Sequence, residues 1–399
     1  VPKLLQINSC INWGSTGKIA EQIGDVAMQN GWESYVAYGR SMNPSKSELI
    51  KVGTKGEVIL HGMKTMLYDG HGLGSKHATQ QLVKRIQALN PDIIHLHNIH
   101  GYYINYTILF EYLNSIDTPI VWTLHDCWSF TGHCAHFVVS GCEKWKTMCE
   151  NCELKSAYPR SYFADNSKAN FLLKKKLFAA NPNMHIITVS EWLAGLARES
   201  FMKNADIRVI NNGVDLDIFR PQELQKKNGK FMILGVTNIW SSEKGLDDFV
   251  KLAKMIDNDK YEIVLIGLTH KQIDSLSGIV KGIRRTDSVE QLARYYSMAD
   301  AFVNLTYSDS FPTTNLEAMA CGTPVVTYRT GGSPEAVSDD TGFIVEQGDI
   351  TEVARIIEGI ADKGKNQYSR QCRARAEQCF DKNKNFEKYI DLYKQLITK

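Results

Sequence analysis

Tyr307-Ser308-Asp309-Ser310-Phe311-Pro312-Thr313-Thr314-Asn315-Leu316-Glu317-Ala318-Met319-Ala320-Cys321-Gly322-Thr323-Pro324-Val325-Val326 is the stretch that decides the reading. It follows an apolar strand, Ala301–Leu305, opens a helix and returns to a second strand, Pro324–Thr327. Thr313, Thr314 and Asn315 fall at the helix start, beside backbone N–H groups that no preceding turn can satisfy. Hydroxyl and amide side chains at a positive dipole end suit an anion. Glu317 falls about one turn further in, where a carboxylate can accept from hydroxyl groups. Asp309 lies on the loop before the helix and can reach the same place, and Phe311 and Pro312 complete that candidate binding loop. Read as loose composition, the string is also compatible with a plain strand-loop-helix of any α/β protein.

Working outward, short apolar runs alternate with helical patterns along the whole chain. Leu4–Asn8, Ser34–Tyr38, Asp92–Leu96, Pro119–Leu124 and His185–Val189 are the strand-like runs of the first half, with a helix expected from Gly17 to Asn30. The second half repeats the rhythm with strands at Phe231–Val236 and Ile263–Ile266, and helices at Leu246–Ile256, Val289–Met298 and Asn315–Cys321. Nearly continuous apolar strands between helices mark parallel sheets covered on both faces. The rhythm breaks at Asn211-Asn212-Gly213 and a polar stretch, Pro221 to Lys230. We therefore expect an α/β chain of two doubly wound, Rossmann-like domains facing a cleft. The first is expected over 1–211, the second over 212–382, and a tail helix over 383–399 packs back on the first.

With 399 residues there is enough chain for two such domains. The formal charge of +2, from 46 basic and 44 acidic residues, gives no broad footprint for nucleic acid. No run of about 18 apolar residues is present to span a membrane, and no export signal is recognised. A cytoplasmic setting with reduced thiols is the expectation from that pattern.

The full Tyr307–Val326 string resembles the acidic-x7-acidic motif of the "glycosyl transferases group 1" family, retaining enzymes of the GT-B fold. The resemblance implies that Glu317 holds a nucleotide ribose and that Asp309 lies near the donor sugar, although relatives usually carry Glu-Gly-Phe where this chain has Asp309-Ser310-Phe311. Lys244-Gly245, after the first strand of the second half, is similar to a family Lys-Gly that neutralises the donor diphosphate. A cation there stabilises charge growing on a leaving phosphate. Where many relatives place an Arg shortly before this Lys, Asn238 and Ile239 stand instead. Arg284 and Arg285 are candidates for the missing charge, in the region that in relatives cradles the base. Gly331-Gly332-Ser333-Pro334-Glu335 resembles a further family turn.

In the first half, Gly14-Ser15-Thr16-Gly17-Lys18 reads as a phosphate-approaching loop. It fails the P-loop spacing, which would need Gly at position 12 and Ser or Thr at 19, where Asn12 and Ile19 stand. By resemblance, Gly14, Ser15, Thr16 and Gly17 join the donor site. His95-Leu96-His97-Asn98 and Leu124-His125-Asp126 are strand ends carrying imidazoles. His125 is the candidate contact for the transferred sugar, and Asp126 can orient it or the acceptor. No enzyme nucleophile stands out, so front-face attack assisted by the leaving phosphate is expected, without a catalytic metal.

Cys134-x7-Cys142-x6-Cys149-x2-Cys152 lies in an insertion at about 127–158. Structural Zn²⁺, disulfides and free thiols are all compatible with it. Phe171–Phe178, with Lys174, Lys175 and Lys176, reads as a surface amphipathic helix that can also touch an anionic membrane. The expected activity is transfer of a sugar from a UDP-, GDP- or ADP-sugar to a saccharide or lipid-linked saccharide, in capsule, exopolysaccharide or lipopolysaccharide assembly, with no nucleic-acid partner and peripheral contact with a membrane's inner face. The competing expectations are a sugar-nucleotide epimerase of the same fold and a non-catalytic scaffold binding partners through the cysteine insertion.

Overall fold

Strand pairing divides the chain between two sheets, and every pairing in both is parallel. The computed structural model describes residues 1–398 other than 225 and 227. It separates into unit 1, Val1–Asn211 with the chain from Phe386 onward, and unit 2, Asn212–Asn385. The tail helix is seen at Lys382–Ile397, and Lys399 and part of the Pro221–Lys230 stretch lie outside the described residues.

Unit 1 contains β1 (Lys3–Asn8), β2 (Glu33–Tyr38), β3 (Glu48–Lys51), β4 (Ile93–Leu96), β5 (Ile120–Leu124), β6 (Met184–Thr188) and β7 (Asp206–Val209). They lie in the order β3-β2-β1-β4-β5-β6-β7. Its helices are α1 (Gly14–Gln29), α2 (Lys55–Tyr68), α3 (Lys76–Leu89), α4 (Tyr106–Leu113), α5 (Ser167–Phe178) and α6 (Glu191–Glu199). Unit 2 contains β8 (Phe231–Val236), β9 (Tyr261–Ile266), β10 (Lys281–Ile283), β11 (Ala301–Asn304), β12 (Val325–Tyr328) and β13 (Gly342–Val345), in the order β10-β9-β8-β11-β12-β13. Its helices are α7 (Leu246–Met255), α8 (His270–Ser275), α9 (Val289–Met298), α10 (Thr313–Ala320), α11 (Ser333–Ala336), α12 (Ile350–Lys363) and α13 (Asn366–Cys379), before α14 (Lys382–Ile397). In each sheet the strand order reverses once, between β1 and β4 and between β8 and β11. Such switch points leave a crevice at the carboxyl ends of the strands, where α/β proteins bind ligands.

Two local expectations are corrected. Helix α1 begins at Gly14, so Gly14–Lys18 form its first turn, and the loop after β1 is Ser9–Trp13. Gly17 fits closely there: a Cβ would stand 3.3 Å from the Asn12 nitrogen and the Cys10 carbonyl oxygen, so the backbone would have to give by a few tenths of an ångström. Helix α5 is not a solvated basic face along its whole length. Phe171, Lys174, Leu177 and Phe178 are buried, and Lys174 sits 3.5 Å from the centroid of Trp128 while donating to the Trp128 and Thr131 carbonyls.

In unit 1 the carboxyl-terminal helix shares a core with α1 and the sheet through Ile23, Val26, Ile93, Phe386, Ile390 and Tyr393. A buried polar chain fixes its register. Tyr389 Oη meets Thr123 Oγ1 at 3.0 Å, Thr123 Oγ1 meets His95 Nε2 at 2.8 Å, and His95 Nδ1 meets Tyr393 Oη at 2.6 Å. Tyr393→Phe strands the buried His95 Nδ1, and an unmet buried polar group costs about 1–3 kcal/mol. Urea unfolding followed by tryptophan fluorescence should show that loss, since six of the seven tryptophans lie in unit 1.

Candidate active site

In unit 2 the crevice between β8 and β11 is furnished by two loops. The first, after β8, is a short turn at Ser242–Lys244 capped by the Ser241 hydroxyl. Gly245 ends it at φ 79°, with a would-be Cβ 2.2 Å from the Leu305 carbonyl oxygen. Only glycine lets this turn come so close to the end of β11. That approach seats Lys244: its Nζ donates to the Ser308 carbonyl at 3.0 Å and to Thr306 Oγ1 at 3.4 Å, and pairs with Asp309 at 3.1 Å. The second loop leads into α10, whose start at Pro312–Thr313 has no side-chain cap. Ser308 Oγ, Ser310 Oγ and Asn315 Nδ2 are buried without a hydrogen-bond partner, the Asn315 carbonyl oxygen being held by Asn304 Nδ2 at 2.8 Å. Glu317 accepts from Tyr296 Oη of α9 at 2.8 Å. Lys244, Asp309 and the start of α10 are thus brought together. Phe311 turns inward, its ring 5.9 Å from that of Phe380. Asn238 is exposed on the β8 loop, and Arg284 and Arg285 are exposed beyond the edge strand β10, at the same carboxyl edge of the sheet but farther from the switch point.

In unit 1 the switch point gathers imidazoles. A small cavity is lined by His97, His100, His125 and Asp126, with Trp122 and Trp128. Asp126 does not orient His125. Its carboxylate meets His100 Nε2 at 2.8 Å and accepts from the Trp128 N–H at 2.9 Å, while His100 Nδ1 meets Tyr158 Oη at 3.0 Å. Burial works to raise the Asp126 carboxyl, but His100, His136 and the Trp128 N–H hold it well below the usual carboxylate range. His125 belongs to a different chain of bonds. Gln6 Nε2 donates to the Ala20 carbonyl at 2.8 Å, which turns its Oε1 towards His97 Nε2 at 3.0 Å. An amide oxygen only accepts, so His97 carries its proton on Nε2. The neutral ring then accepts at Nδ1, 3.1 Å from His125 Nε2. His125 is therefore protonated on Nε2 and presents Nδ1 as an acceptor.

Two family models match. "Glycosyltransferase Family 4" covers residues 19–218 and "Glycosyl transferases group 1" covers residues 230–363. The chain belongs to the group 1, family 4 glycosyltransferases. It is 23% identical to the putative colanic acid biosynthesis glycosyl transferase WcaC of Escherichia coli K12, over 98% of this chain and 100% of that one. Its fold is GT-B. Sucrose-phosphate synthase from Thermosynechococcus elongatus superposes with a TM-score of 0.74 at 17% identity, covering 100% of both chains. Anabaena HepE in complex with UDP-glucose does so with a TM-score of 0.65 at 16% identity, over 98% of this chain and 99% of that one.

The cysteine insertion is knitted into unit 1 by polar contacts. Among the described residues no group of three or more His, Cys, Asp or Glu is placed to hold an ion, and all nine cysteines are free thiols. Cys134 and Cys152 do approach each other. The hydrogen bond from Cys134 lowers the Cys152 thiol below its ordinary value despite burial, and raises its own well above the usual range. His133 is engaged by buried Asp69 at 2.6 Å. Gln6, His100, Tyr158 and Tyr296 were not foreseen as site residues. His100 shares the strand end with His97 and is readable in retrospect, whereas Tyr158 and Tyr296 are joined to their partners only by the fold.

Burial lowers His61 and His125 to about 4, with Asp126 working the other way on His125, and holds His71, His95 and His97 well below the ordinary imidazole value. In the unfolded chain these rings take up protons near about pH 6.5. Between that value and about 4 the unfolded chain binds more protons, so folding stability falls as pH falls through this window. Thermal unfolding followed by tryptophan fluorescence should give a flat Tm above about pH 7 and a progressive decline from about 6.5 to 4, and a Tm unchanged over that window would refute the buried neutral histidines.

Proposed function

We propose that this chain transfers a sugar, with retention of configuration, from a nucleotide-sugar donor bound by unit 2 to a saccharide or lipid-linked saccharide acceptor served by unit 1. The observation that carries the reading is Lys244 held at the start of the Asp309–Glu317 stretch, beside buried polar atoms that have no partner among the described residues. Lys244 and the free N–H groups of α10 supply positive potential for the donor diphosphate. Glu317, steadied by Tyr296, accepts from the ribose hydroxyls. Asp309 exchanges its pairing with Lys244 for a hydroxyl of the donor sugar. His125 offers Nδ1 to a sugar hydroxyl, and the first turn of α1, Gly14–Gly17, offers further N–H donors. The leaving phosphate takes the acceptor proton during front-face attack, so the protein contributes position and charge stabilisation. Catalysis proceeds without a metal in this reading.

UDP-sugars are the first donors to test, because HepE binds UDP-glucose on the same fold. Assembly of a surface polysaccharide is the setting, supported by alignment with WcaC along nearly the whole chain. Lys244→Ala should lower the transfer rate by about a hundredfold or more. Glu317→Ala should weaken nucleotide binding by about 1–3 kcal/mol, a factor of about 5 to about 150. Calorimetry with UDP, GDP and ADP and a radiolabelled transfer assay measure both. Unaltered nucleotide affinity and rate in the two variants would overturn the site, and product formed without acceptor would assign an epimerase instead.

A further inference from the structure

Helix α2 reverses the usual arrangement of a surface helix. Its inward side is polar and satisfied. Buried His61 accepts at Nε2 from the Gly72 and Gly74 N–H groups at 3.0 and 3.1 Å and meets Ser75 Oγ through Nδ1 at 2.9 Å, while buried Thr65 donates to the His61 carbonyl. Its outward side is apolar. Ile59, Leu60, Met63, Met66 and Leu67 are between 38% and 66% exposed. At about 100° per residue they fall within an arc of roughly 120°. Lys55 and Lys64 stand at the two edges of that arc, both exposed. The Tyr162 and Ala164 N–H groups donate to the Met66 and Leu67 carbonyls at 2.9 and 3.4 Å, which sets Tyr162 and Phe163, the latter 74% exposed, against the end of the arc. The patch is contiguous, and patches of this kind mark interaction sites rather than ordinary surface.

Its chemistry selects the occupant. Flexible aliphatic side chains in the centre, aromatic rings at one end and long cationic side chains at the rim match a helix lying in a bilayer interface. Arg160, stacked on Tyr162, adds a further cation. The acids nearby are engaged elsewhere: Glu57 caps the helix through Thr54, and Asp165 accepts from the Cys152 and Ser167 N–H groups. A second copy of this chain on the same patch would set lysine rims together with no acid to meet them. We propose that α2, with Tyr162 and Phe163, is a docking surface for an anionic lipid bilayer. It replaces α5, whose Phe171, Lys174 and Phe178 are buried, as the membrane-facing element.

The test is flotation of the full chain with vesicles of phosphatidylethanolamine and phosphatidylglycerol, against vesicles of phosphatidylcholine alone, with no donor present. The result is therefore separate from that of any transfer assay. The wild type should float with the anionic vesicles and be released by salt. Ile59→Ser/Met63→Ser/Leu67→Ser and, separately, Lys55→Glu/Lys64→Glu should each reduce binding roughly tenfold or more with an unchanged Tm, since all five side chains are exposed. Failure of the wild type to bind anionic vesicles, or equal binding by either variant, overturns the proposal. A wild-type dimer in light scattering that the triple serine variant dissolves would also overturn it and assign the patch to a second copy.

Discussion

Strands β8 and β11 lie side by side, yet the chain leaves them in opposite directions along the sheet, β8 towards β9 and β11 towards β12. Right-handed crossovers then put α7 on one face and α10 on the other. The two loops part at their roots and leave a gap that no element of the same sheet fills. Everything proposed for unit 2 depends on that gap. The closeness of Gly245 to the Leu305 carbonyl keeps the gap narrow enough for one lysine to reach across it. A side chain on residue 245 would lift the turn and carry Lys244 away from Ser308 and Asp309.

The Lys244–Asp309 pair is about one-third exposed on each side. Ion pairs in such surroundings are worth little, typically about 0–1 kcal/mol, so an incoming diphosphate can take the lysine at small cost. A deeply buried pair would resist the exchange, because removing one partner leaves an uncompensated charge. In the proposed site the Asp309 carboxylate is placed by its pairing with Lys244. The fixed element on this side is Glu317, clamped by buried Tyr296.

Legibility in the sequence followed burial. The central strands of both sheets are continuous apolar runs and could be read within a residue or two. The strands not read were β3, β7, β10 and β13, which are the outer strands of the two sheets. Three of them, ELIK, DIRV and KGI, carry charged side chains, as edges do to discourage pairing. The acidic motif and Lys244 were legible because each sits at a fixed offset from a strand. The partners that give them direction were not, since Gln6 meets His97 and Tyr296 meets Glu317 across the sheet or between helices. Helix α5 shows the same limit from the other side: three consecutive lysines suggest a wet face, and only the packing of Trp128 shows that one of them points inward.

The strand β4 ties the closing helix of unit 1 to the candidate sugar contact. His95 lies on β4 and His97 one residue past its end, where its N–H still pairs with Ile7, so the two share a face and their ring centroids are 4.0 Å apart. One is bonded to Tyr393 and Thr123, the other to Gln6 and His125. Two positive rings at that distance would repel by about 4 kcal/mol at an effective dielectric of about 20, before any cost of burial. The pair is therefore stable only as neutral imidazoles. Neutrality in turn forces each nitrogen to be either donor or acceptor, and the outer partners choose which. The tautomer of His125 is thus set by Gln6 through His97, while the carboxyl-terminal helix holds His95 in the neutral stack. A helix that begins near the end of the chain in this way helps to define an acceptor nitrogen at the end of β5.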